Sequence, residues 1–241
     1  MIIIPAKYAS TRLPRKNFLC FYNNLSLFQI ALKRAMLIEN QDIIVSSENI
    51  HICRQQVIAL FNCIPSRLIL VERPSHLAKD PSTIVDVVRH GLEFSPDSSY
   101  IAVILPTSPF NSVDYIRDAI DLFKTNSCSR LLSVSKTSKP PYNAWILDST
   151  HQSDVNYLVH AFPHSEYRTT KSTECPVSYM SNGCISIYST SGLLSSIDYT
   201  KNVLAYTMPE ICSIDIDHEF EFQLAQNSFS KLATDLTLFD S

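Results

Sequence analysis

Cationic and hydroxyl side chains are concentrated in one short stretch near the start of the chain. An apolar run, Ile2–Pro5, leads into a polar stretch that ends at Asn17. That polar stretch carries the cations Lys7, Arg12, Arg15 and Lys16 and the hydroxyls of Ser10 and Thr11. Backbone N–H groups emerging from a strand, together with Lys and Arg side chains, are what binding of a triphosphate requires. We therefore predict a phosphate-binding loop here, the alternative being a solvated basic loop.

This first loop differs from the common glycine-rich phosphate loops. The whole chain has 3 glycines, although glycine tolerates positive φ best. The G-x-x-x-x-G-K-[ST] pattern of P-loop proteins is absent. Pro5 and Pro14 are expected to stiffen the loop where glycine is missing.

The elements that must position this loop alternate along the first half of the chain. Predicted strands are Met1–Pro5, Asp42–Val45, Arg67–Val71, Tyr100–Leu105 and Arg130–Val134, and predicted helices are Leu25–Asn40, Asn49–Phe61, Thr83–Phe94 and Ser112–Asn126. Such alternation predicts a Rossmann-like α/β fold, with a mainly parallel sheet and helices on both faces. Ligands gather at the carboxyl ends of such strands. The loops after Pro5, Val71 and Leu105 would then share one crevice.

Periodicity is lost in residues 136–181, which are rich in Ser, Thr, Pro, Tyr and His. We predict a single domain over 1–241, in which this segment is an insertion that forms a substrate wall or a subunit contact. The alternative is a solvated linker. Beyond it, we predict strands at Cys184–Tyr188, Val203–Tyr206 and Ile211–Ile216 and a closing helix from His218.

Composition excludes several other classes of function. With 20 basic and 23 acidic residues, the formal charge of −3 argues against general nucleic-acid binding. The 7 cysteines include no C-x-x-C pair, so we predict no zinc site. No apolar run is long enough for a signal peptide or a membrane span, which predicts a cytoplasmic protein.

Segments along nearly the whole chain resemble the CMP-sugar-acid synthetases, which include the CMP-sialic acid (N-acylneuraminate) synthetases and bacterial relatives for legionaminic and pseudaminic acids. The segments are Ile2–Asn17, Glu72–Glu93, Leu105–Phe110 (LPTSPF), Ser181–Tyr188 (SNGCISIY) and Ser213–Ala225 (SIDIDHEFEFQLA), in the family's order. The resemblance implies a cytidylyltransferase that moves CMP from CTP to the anomeric hydroxyl of a nonulosonic sugar acid and releases pyrophosphate. It also implies a homodimer, because relatives are commonly dimers.

The resemblance also indicates which acids would hold a metal. Enzymes for 3-deoxy-manno-octulosonate carry an acid in the motif that is Pro-Thr-Ser-Pro here, so the metal acids should lie elsewhere. Asp215 and Asp217 fit, because residues two apart on an extended strand end point the same way. Two close carboxylates without a salt partner favour Mg²⁺. The alternative role of these aspartates is capping of the helix that follows.

Further roles are implied residue by residue. The residues that would hold CTP are Lys7, Ser10, Thr11, Arg12, Lys16, Asn17, Arg73 and Ser82. The residues that would bind the sugar acid are Ser108, Pro109, Arg168, Lys171 and Asn182. Lys16 would stabilise charge at the reacting phosphates, and the catalytic set would be Lys16, Asp215 and Asp217. For Arg168 and Lys171, the alternative is that they are ordinary surface cations.

Departures from the family pattern keep two alternatives open. Leu105 stands where the family has Gln, Ala9 and Arg15 stand where relatives often have Gly or another small or apolar residue, and Phe110-Asn111 replaces a common Leu-Arg. One alternative is a cytidylyltransferase for 3-deoxy-manno-octulosonate, favoured by the sequence Ser-Thr-Arg-Leu-Pro in the first loop. The other is a catalytically idle nucleotide-binding module.

Overall fold

Short, mostly apolar strands form the sheet against which the helices pack. The computed structural model describes residues 1–148, 157–195 and 201–232. In chain order, the strands are β1 (Ile2–Pro5), β2 (Cys20–Tyr22), β3 (Leu25–Ser26), β4 (Ile43–Ser47), β5 (Leu68–Glu72), β6 (Tyr100–Ile104), β7 (Arg130–Lys136), β8 (Trp145–Leu147), β9 (Leu158–His160), β10 (Tyr179–Ser189) and β11 (Val203–Thr207). The helices are α1 (Leu27–Met36), α2 (Ile50–Phe61), α3 (Ile84–Leu92), α4 (Val113–Thr125), α5 (Thr190–Leu194) and α6 (Glu219–Leu232).

The main sheet has 7 strands in the order β11-β7-β10-β6-β1-β4-β5. Strand β1 runs parallel to both β4 and β6, β4 runs parallel to β5, and β11 runs parallel to β7. Strand β10 is antiparallel to β6. The prediction of a mainly parallel sheet is confirmed.

Both faces of the sheet are buried. Successive side chains of β1 pack into core clusters on opposite faces. Ile2 and Ile4 belong to the core cluster packed under α1, α2, α4 and α6, whereas Ile3 belongs to the cluster under α3, with Val87 and Val88. Successive strand residues point to opposite faces. Each such fully buried side chain contributes about 1.5–3 kcal/mol relative to exposure. The predicted helices on both faces are therefore confirmed.

The first helix is shorter than predicted. Leu25 pairs with Tyr22 in the β2–β3 hairpin, so α1 begins only after Ser26, whose side chain forms a capping box with Gln29. Asn23 and Asn24 turn the hairpin with positive φ values of 46° and 60°. Asparagine adopts the left-handed region more readily than other non-glycine residues. The helical spacing of the apolar residues masked this turn.

The predicted strand Ile211–Ile216 is wrong. Glu210–Ser213 forms a 3₁₀ helix, closed by a hydrogen bond from the Cys212 N–H to the Pro209 carbonyl at 3.0 Å. The chain then crosses to the carboxyl end of β6, where the Ile216 N–H donates to the Thr107 carbonyl at 3.0 Å. Apolar content alone indicated a strand, but Cys212 and Ile216 are buried where the chain crosses the sheet end, and Ile211 is exposed.

Residues Ser135–Met180 form a second compact unit. In place of the irregular structure predicted for 136–181, β8 and β9 pair antiparallel, with Trp145 opposite His160 and Leu147 opposite Leu158. Residues 149–156 of the predicted insertion lie outside the described residues. Within the described ranges, no helix combines the length and the apolarity that a membrane crossing requires.

Candidate active site

The first loop and the segment before α6 meet at the carboxyl end of the sheet. Lys16 begins a short 3₁₀ helix (Lys16–Phe18), and Arg15 before it has a left-handed φ of 58°. The Lys16 Nζ donates to the Asp217 Oδ1 at 2.6 Å and to the Ile216 carbonyl at 2.6 Å. The Arg12 guanidinium contacts the other Asp217 oxygen, Oδ2, at 2.6 Å. Residues 201 positions apart in the sequence are thus in direct contact.

The two aspartates have pKa shifts in opposite directions. For Asp217, burial acts against ionisation, but the hydrogen bond and charge of Lys16 and the charge of Arg12 outweigh it and lower the pKa. For Asp215, burial of the carboxyl raises the pKa, and the charge of Asp217 raises it further, against a hydrogen bond from Thr107. The residue Asp215 as a whole is exposed. Solvent therefore screens the carboxyl on one side, which weakens these electrostatic effects.

One expectation about these aspartates needs correction. Asp217 has two cationic partners, whereas the expected pair lacked a salt partner. Just ahead of α6, Glu221 accepts the N–H groups of Asp217 and His218 at 2.7 and 2.8 Å. Glu221 lies in the first turn of α6, where a carboxylate is favoured by the helix dipole. The Asp217 carboxylate is thereby left to face the first loop.

Orphaned polar atoms occur in the first loop and at Ser82. Asn17 is buried and donates from Nδ2 to the Lys7 carbonyl at 2.8 Å. Its Oδ1, the Ser10 Oγ and the Ser82 Oγ are buried and have no hydrogen-bond partner within the described chain. Buried polar groups are normally hydrogen-bonded, so these atoms suit a polar ligand. Thr11, in contrast, is exposed.

Arg73 occupies the carboxyl end of β5 and is buried. Its guanidinium donates to the Ser46 Oγ at 3.1 Å and to the Ser46 carbonyl at 2.6 Å. Burial lowers the pKa of Arg73, with the charge of Glu48 acting the other way. In this structure, the predicted contact of Arg73 with the nucleotide would need these hydrogen bonds to be shared or exchanged.

The predicted sugar-acid residues fall in different environments. Ser108 and Pro109 are buried after β6, and the Ser108 hydroxyl lies against the Cys184 thiol, whose pKa burial raises to about 12. Asn182 accepts through Oδ1 from the Ser133 hydroxyl at 2.5 Å.

Arg168 and Lys171 belong to the second compact unit and are exposed. Arg168 Nη1 donates to the Pro163 and Ser165 carbonyls at 3.3 Å each. The roles proposed for these two residues stay predictions.

Sequence reasoning missed two acids at this edge of the sheet, Glu48 and Glu221. Glu48 follows β4 directly and accepts the Tyr8 and Ala9 N–H groups of the first loop. For Glu48, the available signal was an acidic residue three positions after the predicted strand Asp42–Val45, because the carboxyl ends of parallel strands converge on one edge.

A seven-stranded, mostly parallel sheet with cationic and acidic side chains at its carboxyl edge defines an α/β protein of the nucleotidyltransferase fold. A sequence model described as cytidylyltransferase matches residues 1–171. The chain belongs to the cytidylyltransferase family.

Relatives with assigned names are similar over most of this chain. The N-acylneuraminate cytidylyltransferase of Escherichia coli O18:K1:H7 is 28% identical over 228 residues, which is 92% of this chain and 50% of that protein. The protein of the same name from Streptococcus agalactiae serotype V is 25% identical over 224 residues, 91% of this chain and 51% of that one. The chain therefore spans about half the length of these relatives.

Solved structures share the fold at low identity. A CMP:2-keto-3-deoxy-manno-octonic acid synthetase complexed with CTP superposes with a TM-score of 0.67 at 14% identity, covering 98% of both chains. A 4-diphosphocytidyl-2C-methyl-D-erythritol synthase from Anaerococcus prevotii gives a TM-score of 0.63 at 14% identity, covering 95% of both.

Proposed function

We propose that this chain transfers CMP from CTP to a sialic-acid-like nonulosonic acid and releases pyrophosphate. The observation that carries the proposal is the contact of the Lys16 ammonium with the Asp217 carboxylate. It brings a cation of the first loop and an aspartate of the segment before α6 to one point, within reach of a single triphosphate. The names of the relatives support the same reaction class.

In the proposed reaction, the anomeric hydroxyl at C2 of the sugar acid attacks the α-phosphorus of CTP. The new bond joins that oxygen to phosphorus, the bond to the bridging oxygen of the β-phosphate breaks, and the hydroxyl proton passes to solvent. Lys16 and Arg12, which are paired with Asp217 here, would turn toward the phosphates and stabilise the charge that develops on the leaving pyrophosphate. The Ser10 Oγ and the Asn17 Oδ1, which have no hydrogen-bond partner within the described chain, would form hydrogen bonds with the nucleotide.

We propose Mg²⁺ as the cofactor, held by Asp215 and Asp217. The donor chemistry fits, because burial and a neighbouring carboxylate raise the pKa of Asp215, and a bound cation would offset both effects. When bound, Mg²⁺ would polarise the α-phosphate and make the attacking hydroxyl easier to deprotonate. No group of three or more metal-binding side chains occurs among the described residues, so phosphate oxygens and water would complete the coordination.

The homodimer implied by the resemblance remains part of the proposal. Support comes from the second compact unit, where Trp145, Leu147 and Leu158 are 57%, 62% and 56% exposed. Large exposed apolar patches commonly mark protein interfaces. The cytoplasmic location predicted from the sequence is also part of the proposal.

Pyrophosphate release tests the proposal directly. The protein is incubated with CTP and Mg²⁺ and a panel that contains N-acetylneuraminate, legionaminate, pseudaminate and 3-deoxy-manno-octulosonate. Release with a nonulosonic acid supports the proposal, and release with the octulosonate alone assigns the alternative enzyme. CTP binding without release for any sugar acid would indicate an idle nucleotide-binding module.

A further inference from the structure

Glu48, an acid that the proposed reaction does not use, binds the first loop. Its Oε1 accepts the backbone N–H of Tyr8 at 2.8 Å and that of Ala9 at 2.7 Å. Hydrogen bonds to an ionised acceptor are roughly twice as strong as neutral ones. One carboxylate oxygen therefore anchors the start of the loop that carries Lys16.

The sheet delivers Glu48 to this position. Pro5 of β1 lies opposite Ser46 of β4, and the Ala6 N–H donates to the Ser46 carbonyl at 2.9 Å. On the other side, the Asn49 side chain caps α2 by accepting the Ile52 N–H at 3.3 Å. The backbone is thus fixed both before and after Glu48.

The anchor at Tyr8 and Ala9 is connected to Lys16 through the loop itself. The Tyr8 ring packs against Phe18 with centroids 5.8 Å apart and lies under the Arg15 guanidinium at 5.3 Å. Arg15 has a φ of 58°, which few non-glycine residues adopt unless the surrounding structure holds them. A loop without glycine needs such external restraints to keep Lys16 in place.

Two successive N–H groups also form a typical anion site, so a substrate phosphate could instead displace the Glu48 carboxylate. The Glu48 charge favours a carboxylate that stays, because it interacts favourably with the buried Arg73 guanidinium. The second oxygen, Oε2, is buried without a hydrogen-bond partner among the described residues. Removing the carboxylate would leave the buried Arg73 guanidinium without this negative charge. It would also leave the Tyr8 and Ala9 N–H groups without their acceptor, and both losses are costly.

We propose that Glu48 is a positioning residue for cytidylyl transfer, which holds the first loop so that Lys16 faces Asp217. This inference rests on the proposed function and assigns Glu48 no contact with substrate. Misplacing a reacting group by about 1 Å can cost roughly 100-fold in rate. Loss of the anchor is therefore expected to reduce kcat more than it changes KM for CTP.

The test compares Glu48→Ala, Glu48→Gln and the control Glu72→Ala, since Glu72 is exposed at the end of the neighbouring β5. We expect Glu48→Ala to lower kcat about 10- to 100-fold with KM for CTP changed less than about 3-fold. Glu48→Gln, which keeps an acceptor oxygen, should recover most of the rate. Amide hydrogen exchange without nucleotide should accelerate at residues 8 and 9 in Glu48→Ala, with the sheet strands unchanged.

Each other outcome overturns the inference. Wild-type kinetics in Glu48→Ala would remove the positioning role, and a lower KM for CTP would show that the carboxylate competes with phosphate. Faster exchange throughout the sheet, with no rescue by Glu48→Gln, would reduce Glu48 to a structural residue. If wild type releases no pyrophosphate with any sugar acid, the proposed function fails. The anchor is tested separately, because unchanged amide exchange at residues 8 and 9 in Glu48→Ala would show that Glu48 does not hold the loop.

Discussion

At the scale of single residues, Lys16 is held between the Asp217 carboxylate and the Ile216 carbonyl, both at 2.6 Å. Its side chain is only 15% exposed. A partly buried ammonium is costly unless it is paired and hydrogen-bonded, and the Asp217 carboxylate and the Ile216 carbonyl meet that need here. In the proposed reaction, that charge is available for phosphate oxygens when the nucleotide enters.

Lys16→Ala is therefore expected to reduce kcat/KM for pyrophosphate release by about 100- to 1,000-fold, the range for loss of one preorganised charge donor. Circular dichroism should show that the protein stays folded. Lys139→Ala, which removes an exposed lysine of the second unit, is the control and should leave turnover unchanged. Near-normal turnover in Lys16→Ala would remove its assigned role.

The opposite pKa shifts of the two aspartates predict opposite effects on stability. The raised pKa of Asp215 means that its ionisation opposes folding, so the stability this group contributes is present below about pH 3.9 and lost as pH rises through the native pKa. Asp215→Asn should raise Tm at pH 7, and the difference should shrink as pH falls toward 4.

Asp217→Asn is the matched comparison. Because the pKa of Asp217 is lowered, its contribution is present above its unfolded pKa and lost as pH falls through the native value. This variant should lower Tm at pH 7 by a few degrees. Calorimetry across the pH range checks both signs, and equal shifts in the two variants would contradict the electrostatic account. Both variants should lose turnover if these residues hold Mg²⁺.

At the scale of elements, α3 lies unusually close to β1. A Cβ added at Gly91 would lie 2.5 Å from the Ile3 Cδ1, and Ile3 is completely buried. The absence of a side chain lets the helix approach the strand that leads into the first loop. The close approach explains why a glycine occupies position 91 inside α3.

Gly91→Ala is expected to destabilise the protein by about 1–3 kcal/mol through overpacking, despite the gain of about 1 kcal/mol in helix propensity. Ile3→Val removes the Cδ1 atom and alone costs about 0.5–1.5 kcal/mol. The double variant should therefore lose less free energy of unfolding than the sum of the losses in the two single variants. Urea unfolding of all three measures the coupling, and additive free energies of unfolding would show that Ile3 is not the obstacle.

At the scale of the whole molecule, the second compact unit exposes apolar side chains on β8 and β9. Leu147 and Leu158 lie opposite each other and are 62% and 56% exposed. A two-stranded sheet is marginal by itself in water, so burial against another surface would stabilise it. A second copy of the chain is the partner we propose.

Leu147→Lys with Leu158→Lys should convert the proposed dimer to a monomer, because facing lysines repel each other and oppose burial. Analytical ultracentrifugation at micromolar concentration measures the change. Leu194→Lys, at an exposed position that ends α5, is the control and should remain dimeric. A monomeric wild type would contradict the dimer.

Local pattern alone determined the mainly parallel sheet, helices α2, α3 and α4, and the cationic first loop. Burial on both faces leaves a distinct signature in strands such as β1, and capping residues such as Thr83 act within their own helix turn. Tertiary structure decided that Glu210–Ser213 forms a 3₁₀ helix, that Asp217 pairs with Lys16 and Arg12, and that Glu48 anchors Tyr8 and Ala9. These contacts join residues far apart in the chain, and their energies depend on distance and burial, which no local spacing encodes.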